Sequence, residues 1–205
     1  MAGAEDAARI IEWIKADSTR WELLDHVREL ALPDCWVAAG FVRNMVWSMI
    51  HGRRAGISGD VDVIWFDRGD ATEARDRALE ARLRQSAPEI DWSVKNQARM
   101  NWRNDDAPYA SAEDAMRFWP ETATAIGVRR TVDDRCELVA PLGLDDLMAL
   151  ILRPAGVFAG RKRPIFEARI REKQWLRNFP MLRVADQDFA PPSPPSRSRA
   201  SLRPS

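Results

Sequence analysis

Two aspartates, Asp60 and Asp62, stand two residues apart at the start of an otherwise apolar segment, DVDVIWF. If this segment is a β-strand, both carboxylates project from one face, about 6–7 Å apart along the backbone. Such a pair costs free energy unless solvent or a cation compensates it. Mg2+, with Mn2+ as a substitute, is the cation most compatible with a few carboxylates plus substrate oxygens. The pair predicts a divalent metal site, and the alternative is a turn cap or pairing with arginines.

Gly40 lies between a short apolar segment, 35–39, and a helical spacing of apolar residues that begins at Val42. A glycine at a strand-to-helix junction lets a ligand approach the backbone, and free amides at a helix N-terminus favour phosphate. Arg43 and Asn44 fall on the first turn, where a guanidinium can make a bidentate phosphate contact. These residues predict a phosphate-binding turn, and the alternative is a packing glycine followed by a solvent-facing arginine.

A later strand, predicted at 90–96, could supply a further acid. Alternation places Asp91, Ser93 and Lys95 on one face of it. Asp91 is the only carboxylate within this strand, so it is the acid that the strand could supply.

Three cations are candidate substrate contacts. Lys95 and Arg99 belong to a donor-rich run, KNQARMNW, and could reach phosphate or base edges; alternatively, they satisfy neighbouring backbone groups. Arg129 follows a strand predicted at 122–128 and is a candidate contact to substrate.

The elements that must position these residues alternate along the chain. Two helices precede Pro33, and apolar patterns then predict strands at 35–39, 60–66, 90–96, 122–128 and 137–141, with helices near 42–52, 72–84, 111–119 and 143–152. Pro164 is expected to open a last helix anchored by Ile165, Phe166, Ile170 and Trp175. That helix is basic, so it could follow a nucleic-acid backbone, although a solvated face is the simpler interpretation. The pattern indicates an α+β fold.

Composition limits the number of domains and the kind of partner. At 205 residues the chain can build one core with a small attached segment. Lys plus Arg and Asp plus Glu both number 31, so no charge bias points to nucleic acid or membrane. From residue 186 onward Pro, Ser and Arg dominate and no core can form. We predict one domain at 1–185 and a disordered tail at 186–205.

Other function classes lack the residues they need. There is no Walker or dinucleotide glycine fingerprint and no His/Cys cluster with metal-ligand spacing. Cys35 and Cys136 fit buried free thiols of an intracellular protein. No signal-peptide pattern opens the chain and no apolar run reaches membrane length, so we expect a cytoplasmic location.

Five segments carry a family resemblance that spans roughly residues 20–183: AAGFVRNMVW (38–47), DVDVIWFD (60–67), WSVKNQARM (92–100), ETATAIGVR (121–129) and LDDLMALILRP (144–154). They resemble a bacterial group of nucleotidyltransferase-like proteins of unestablished substrate, within the superfamily that includes DNA polymerase beta. The resemblance implies a mixed β-sheet with flanking helices, two N-terminal helices and a helical C-terminal part.

The resemblance also implies roles for individual residues. Asp60 and Asp62 match the carboxylates that hold Mg2+ ions between the nucleotide phosphates and an attacking hydroxyl. Gly40 matches the glycine that meets the triphosphate, but Phe41 replaces the Ser or Gly that normally follows it. The implied activity is transfer of a nucleoside monophosphate from an NTP to an unknown acceptor hydroxyl.

The third acid of the superfamily has no clear match, because Ser93 stands where the alignment of WSVKNQ places it. Three alternatives remain open: Asp91 substitutes for it, two carboxylates suffice, or the protein has lost catalysis. The first two fit an Mg2+-dependent enzyme. The third fits a relative that binds a nucleotide or a partner without turnover.

Overall fold

The computed structural model describes residues 2–104 and 106–185. Its N-terminal part is a pair of helices, α1 Ala2–Ala16 and α2 Ser18–Arg28. Ile10 and Ile14 of α1 are fully buried because they recur at helical spacing on the inner face. The Asp17 carboxylate caps α2 by accepting a hydrogen bond from the backbone amide of Arg20. The two predicted N-terminal helices are confirmed.

Five strands form one mixed sheet in the order β3-β2-β1-β4-β5, with bounds β1 Trp36–Ala38, β2 Val61–Trp65, β3 Trp92–Asn96, β4 Gly127–Arg130 and β5 Cys136–Val139. Strands β2 and β3 are parallel, whereas the other neighbours are antiparallel. The parallel pair requires a crossover, which α4, Glu73–Ser86, supplies by packing on β3. The expected α+β fold with a mixed sheet is confirmed.

The large core lies on one face of this sheet. Helix α3, Gly40–Ile50, packs on β1 and β2, while α1 and α2 pack on β5 and β4. Alternation along β2 directs Val61, Val63 and Trp65 into this core. Burial of these side chains fixes the register, since a slip of one residue would bring the aspartates inward instead.

The opposite face of the sheet is only partly covered. Trp36, Ala38 and Ile64 pack there in a small second cluster under the short helix α6, Ala112–Met116. Asp62 points to this same face, because it alternates with Val61 and Val63. Asp62 therefore lies at the uncovered end of this face.

The C-terminal part contains short helices and a two-stranded parallel sheet: α7 Asp145–Met148, β6 Ile151–Leu152, α8 Arg163–Glu172, α9 Trp175–Asn178 and β7 Arg183–Val184. Another short helix, α5 Met100–Asn104, follows β3. The helix expected at 143–152 is wrong over its second half, because the chain turns at Leu150 with a positive φ of 57° and enters β6. Ile165 is not an anchor, since it is 49% exposed, whereas Phe166, Ile170 and Trp175 are buried as predicted.

The strand expected at 122–128 is also corrected. Thr122–Thr124 forms a 3-10 turn, and β4 begins only at Gly127. The turn is fixed by the amide of Thr122, which donates to the carbonyl of Arg153. The predicted tail at 186–205 lies outside the described residues. Within the described residues no helix has the length and apolar character to cross a bilayer.

Candidate active site

Three strand ends meet at one edge of the sheet. Ala38, the last residue of β1, pairs with Asp62 near the start of β2, and Asp62 pairs with Ser93 near the start of β3. Helix α3 begins two residues after Ala38, at Gly40. This edge therefore brings the acidic pair beside the N-terminus of a helix.

A cavity of about 530 Å3 opens at this edge. Its lining combines the acidic pair, the first turn of α3, the loop before β2 and the C-terminal helices: Ala39, Gly40, Arg43, Asn44, Ser58, Gly59, Asp60, Asp62, Thr124, Arg169, Lys173, Trp175, Asn178 and Phe179. The volume falls within the usual range of about 300–1,000 Å3 for ligand sites. Gly40, Arg43, Asn44, Asp60 and Asp62, all predicted as site residues, lie together here.

Burial and the neighbouring charge of Asp60 raise the pKa of the Asp62 carboxyl to about 6. A hydrogen bond from the Ser93 hydroxyl and the charges of Arg43 and Lys173 act in the opposite direction. Asp60 is half exposed, and its carboxylate lies 3.9 Å from the Lys173 ammonium. The site thus holds excess negative charge at Asp62 that a bound cation would offset.

Arg43 is a buried cation that faces the cavity. Its guanidinium donates to the Thr124 hydroxyl at 2.8 Å and to the Asn44 side-chain oxygen at 3.0 Å. The rings of Trp47 and Trp175 lie 5.0 and 4.6 Å from it. Burial lowers the pKa of Arg43 to about 10, so it is still positively charged at neutral pH. Because four side chains hold the guanidinium in one orientation, it can bind an anion without first rearranging.

The junction before α3 is strained, and Gly40 follows it. Ala39 has a φ of 53°, a conformation that costs a non-glycine residue about 1–3 kcal/mol. A Cβ added at Gly40 would meet Asn44 at 3.5 Å and Arg43 at 3.6 Å, which are ordinary contacts. The fold itself therefore tolerates a methyl group at position 40, which would lie against two side chains that line the cavity.

The position after Gly40 contributes no hydroxyl to the cavity, as predicted from Phe41. That side chain is buried beneath the guanidinium of Arg20. A hydroxyl reaches the cavity from a different element, because Ser58 in the loop before β2 lines it. The amide of Asn44 donates to the Ser58 hydroxyl at 3.3 Å and ties this loop to α3.

Helix α8 and Lys173, the residue directly after it, supply cavity-lining cations that the sequence interpretation missed. Arg169 donates to both oxygens of Glu121, at 2.7 and 3.3 Å, and that carboxylate is fully buried. Arg169 and Lys173, four residues apart, both line the cavity. Their spacing of four residues could have predicted that both cations lie on the same side of a helix. The basic composition of the whole segment instead suggested a solvated face.

Four predicted site residues, the candidate third acid and three candidate substrate contacts, do not line this cavity. Asp91 lines a separate recess with Thr19 and Ile57. Arg99 forms ion pairs with Asp76 and Glu73 of α4. Arg129 donates to Glu137 at 2.7 Å, with its guanidinium 4.2 Å from the ring of Trp36. Lys95 lies near Asp62, but in a second recess.

The acidic pair fits a magnesium ion that takes some of its ligands from the protein and the others from substrate. Among the described residues, no group of three or more His, Cys, Asp or Glu side chains is placed to hold a metal. Magnesium is usually held by one or two carboxylates together with substrate phosphates and waters. Asp60 and Asp62 would supply the carboxylates for such an ion, and the cationic lining beside them would suit the phosphates.

In metal-free solution, replacement of Asp62 by Asn is expected to stabilise the fold at neutral pH. The folded pKa, about 6, is above the ordinary value of 3.8, so the favourable contribution of protonated Asp62 is present below pH 3.8 and is lost as pH rises through 6. The shift corresponds to about 2–3 kcal/mol. Urea unfolding in EDTA should show the advantage of Asp62→Asn growing between pH 4 and 6 and levelling off above. An advantage independent of pH would contradict this assignment.

The chain was compared with known families and structures. A sequence model of a family described as nucleotidyltransferase matches residues 25–184. An NMR structure described as revealing a CCA-adding enzyme head domain is 31% identical, with a TM-score of 0.77, and the match covers 87% of this chain and 95% of that one. Comparison with curated proteins gave no significant match.

More distant structures share the fold alone. A CCA-adding enzyme solved with CTP is 12% identical with a TM-score of 0.57, and the match covers 88% of this chain and 43% of that one. A tRNA nucleotidyltransferase solved with a primer tRNA and an incoming ATP analogue is 18% identical with a TM-score of 0.50, with coverages of 77% and 45%. This chain therefore spans less than half the length of these two enzymes.

The family match and the similar head domain confirm the resemblance carried by the glycine and aspartate segments. The five-stranded mixed sheet with flanking helices is the architecture of that head domain. This chain belongs to a nucleotidyltransferase family, within the polymerase beta-like superfamily.

Proposed function

We propose that this protein is an Mg2+-dependent nucleotidyltransferase that transfers a nucleoside monophosphate from an NTP to an acceptor hydroxyl. One observation carries the proposal: a single cavity joins the Asp60–Asp62 pair, the first turn of α3 and the cations Arg43 and Lys173. Carboxylates suit a metal and cations suit a triphosphate, and both kinds of group face the same space.

The proposed step is an in-line displacement at the α-phosphorus. A bond forms from the acceptor oxygen to that phosphorus, the bond to the bridging oxygen breaks, pyrophosphate leaves, and the hydroxyl proton passes to water. Mg2+, when bound by Asp60 and Asp62, would supply Lewis-acid stabilisation of the developing charge.

The protein's own cations have distinct tasks in this step. Arg43 is prearranged by Thr124 and Asn44, so it contributes charge without reorganising. Lys173, 52% exposed, is free to move from Asp60 toward a phosphate when a metal binds. Gly40 gives phosphate room beside the helix backbone.

An NTP with Mn2+ or Mg2+ is expected to raise the midpoint of thermal unfolding. A site ligand at 100 times its Kd adds about 2.7 kcal/mol of stability. The matched variant is Gly40→Ala, which the fold accommodates but which places a methyl group in the space assigned to phosphate. We expect Gly40→Ala to fold as well as the parent chain and to lose most of the NTP-dependent shift in differential scanning fluorimetry.

The control for this measurement is the metal without nucleotide, which should give little shift because the site lacks a full set of protein ligands. If each of the four NTPs leaves the midpoint unchanged with either metal, the proposal is wrong. An equal shift in Gly40→Ala would remove Gly40 from the phosphate site.

A catalytically inactive nucleotide- or partner-binding module is the second candidate. It is favoured by Ser93, which pairs with Asp62 across β2 and β3 where a third carboxylate is expected. This candidate would be supported if the protein binds an NTP but releases no pyrophosphate with any of a broad set of acceptors. Pyrophosphate release that depends on Asp62 would exclude it.

A further inference from the structure

The 530 Å3 cavity beside Gly40, to which the proposed function assigns the triphosphate, is here called the triphosphate cavity. A second, smaller recess lies beside it and shares one wall with it. It encloses about 220 Å3 and is lined by Ala39, Asp62, Ile64, Lys95, Gln97, Met100, Trp119, Pro120, Thr124 and Arg169. Four of these residues, Asp62 among them, also line the larger cavity. Asp62 therefore stands on the boundary between two spaces.

We propose that this recess, here called the acceptor recess, binds the acceptor, and that it selects a ring-bearing alcohol carrying an anionic group. This inference rests on the proposed function. In an in-line displacement, the attacking oxygen and the leaving pyrophosphate lie on opposite sides of the α-phosphorus. With the triphosphate beside Gly40, the acceptor hydroxyl must arrive from the other side of Asp62, and the acceptor recess opens there.

The lining of the acceptor recess defines the chemistry of its ligand. Ile64 is buried, and Met100 and Trp119 are half-buried, so they offer apolar and aromatic surface to a ring. Gln97 is only 6% exposed, and its amide nitrogen donates to the carbonyl of Lys95 at 3.1 Å. This mixture of apolar surface with a few placed polar groups is typical of small-molecule sites.

Lys95 supplies the anion-binding element. Its ammonium is 38% exposed and lies 3.8 Å from Glu80, a contact loose enough to exchange for a ligand. Lys95 pairs with Ile64 and Ser93 pairs with Asp62, so the cation lies two residues further along the sheet than the acid. About 6–7 Å along the strands and about 4.8 Å between them place the backbone positions of Asp62 and Lys95 about 8 Å apart, which leaves room for one ring between a reacting hydroxyl and an anionic substituent.

The size of the recess limits what enters. A volume of 220 Å3 corresponds to about seven water molecules, enough for one ring system with its substituents. The recess is therefore expected to hold a small molecule or the terminal unit of a larger one.

Tryptophans in the two spaces allow each to be observed separately. Trp175 lines the triphosphate cavity and Trp119 lines the acceptor recess. Labelling with 5-fluorotryptophan gives a resonance for each of the nine tryptophans, and Trp119→Phe and Trp175→Phe assign the two reporters. Trp102, 76% exposed on α5 and outside both spaces, is the internal control.

The test is a 19F titration of the full chain in two stages. A non-hydrolysable ATP analogue with Mg2+ is added first and should move the Trp175 resonance. Ribose 5-phosphate, glucose 6-phosphate and AMP are then added separately to the saturated protein. At least one probe should move the Trp119 resonance. Lys95→Ala should raise the Kd of that probe about fivefold or more, as expected when a charge-assisted hydrogen bond to its anionic group is lost.

The matched charge control is Arg77→Ala, an exposed cation on α4 that should change the probe's Kd by less than twofold. If the analogue moves Trp175 but no probe moves Trp119, the acceptor recess is wrongly assigned. A Trp119 shift that the analogue competes away would also overturn it. If the analogue leaves Trp175 unmoved, the proposed function fails and this inference fails with it.

Discussion

Replacement of Asp62 by Asn is expected to lower the rate of nucleotidyl transfer at least about 1000-fold, which corresponds to roughly 4 kcal/mol of transition-state stabilisation. Asp62 borders both the triphosphate cavity and the acceptor recess, so its loss removes charge next to the reacting phosphorus. The rate is measured as Mg2+-dependent pyrophosphate release, with water or a screened alcohol as acceptor. Because Asp62→Asn should also stabilise the metal-free fold, a more stable but inactive variant is the expected signature of a functional residue.

The control acid is Asp91, which directly precedes β3, the strand next to the one that carries Asp62. Asp91 lines a different recess with Thr19 and Ile57, so Asp91→Asn should keep the rate within about twofold. A loss as large as that of Asp62→Asn would instead show that Asp91 serves as the third carboxylate. The same comparison thus decides how many carboxylates the chemistry needs.

Replacement of Arg169 by Gln is expected to lower both stability and NTP affinity. Glu121 is fully buried and Arg169 is its bidentate partner, so Arg169→Gln removes both of these hydrogen bonds and leaves a buried carboxylate near the charge of Arg43. Removing one member of a buried pair costs about 3–5 kcal/mol, and we expect about 2–3 kcal/mol here because Arg169 is partly exposed. Affinity for an NTP should fall about 10- to 100-fold through loss of a charge-assisted contact.

The double variant Glu121→Gln/Arg169→Gln separates these two effects. It removes both charges, so it should recover at least half of the stability lost in Arg169→Gln, measured by urea unfolding. NTP affinity, measured by titration calorimetry, should stay low because the cation is still absent. Arg171→Ala, an exposed arginine of the same helix, should change neither quantity appreciably. If NTP affinity recovers together with stability, Arg169 affects NTP binding only by stabilising the fold.

Local signals determined much of the architecture. The alternation of apolar residues around Asp60 and Asp62 defined β2 and directed the large side chains to the core, because a strand has only two faces. Gly40 after a short apolar strand and before a helical spacing defined the strand-to-helix junction. These residues are close in sequence, and together with the wider resemblance they identified the family.

Only the tertiary structure decided which cations join the acids. Arg99 and Arg129 pair with other carboxylates, Asp76 and Glu137, and neither arginine lines the triphosphate cavity. Arg169 and Lys173 line the same cavity as Asp62 and Asp60 although they lie more than one hundred residues away in sequence, because the C-terminal part folds back over the sheet edge. Contacts of that separation depend on packing between elements, which spacing along one strand or helix cannot specify. The sequence alone therefore determined the acidic pair and its glycine, and the fold supplied the charges and the second recess that surround them.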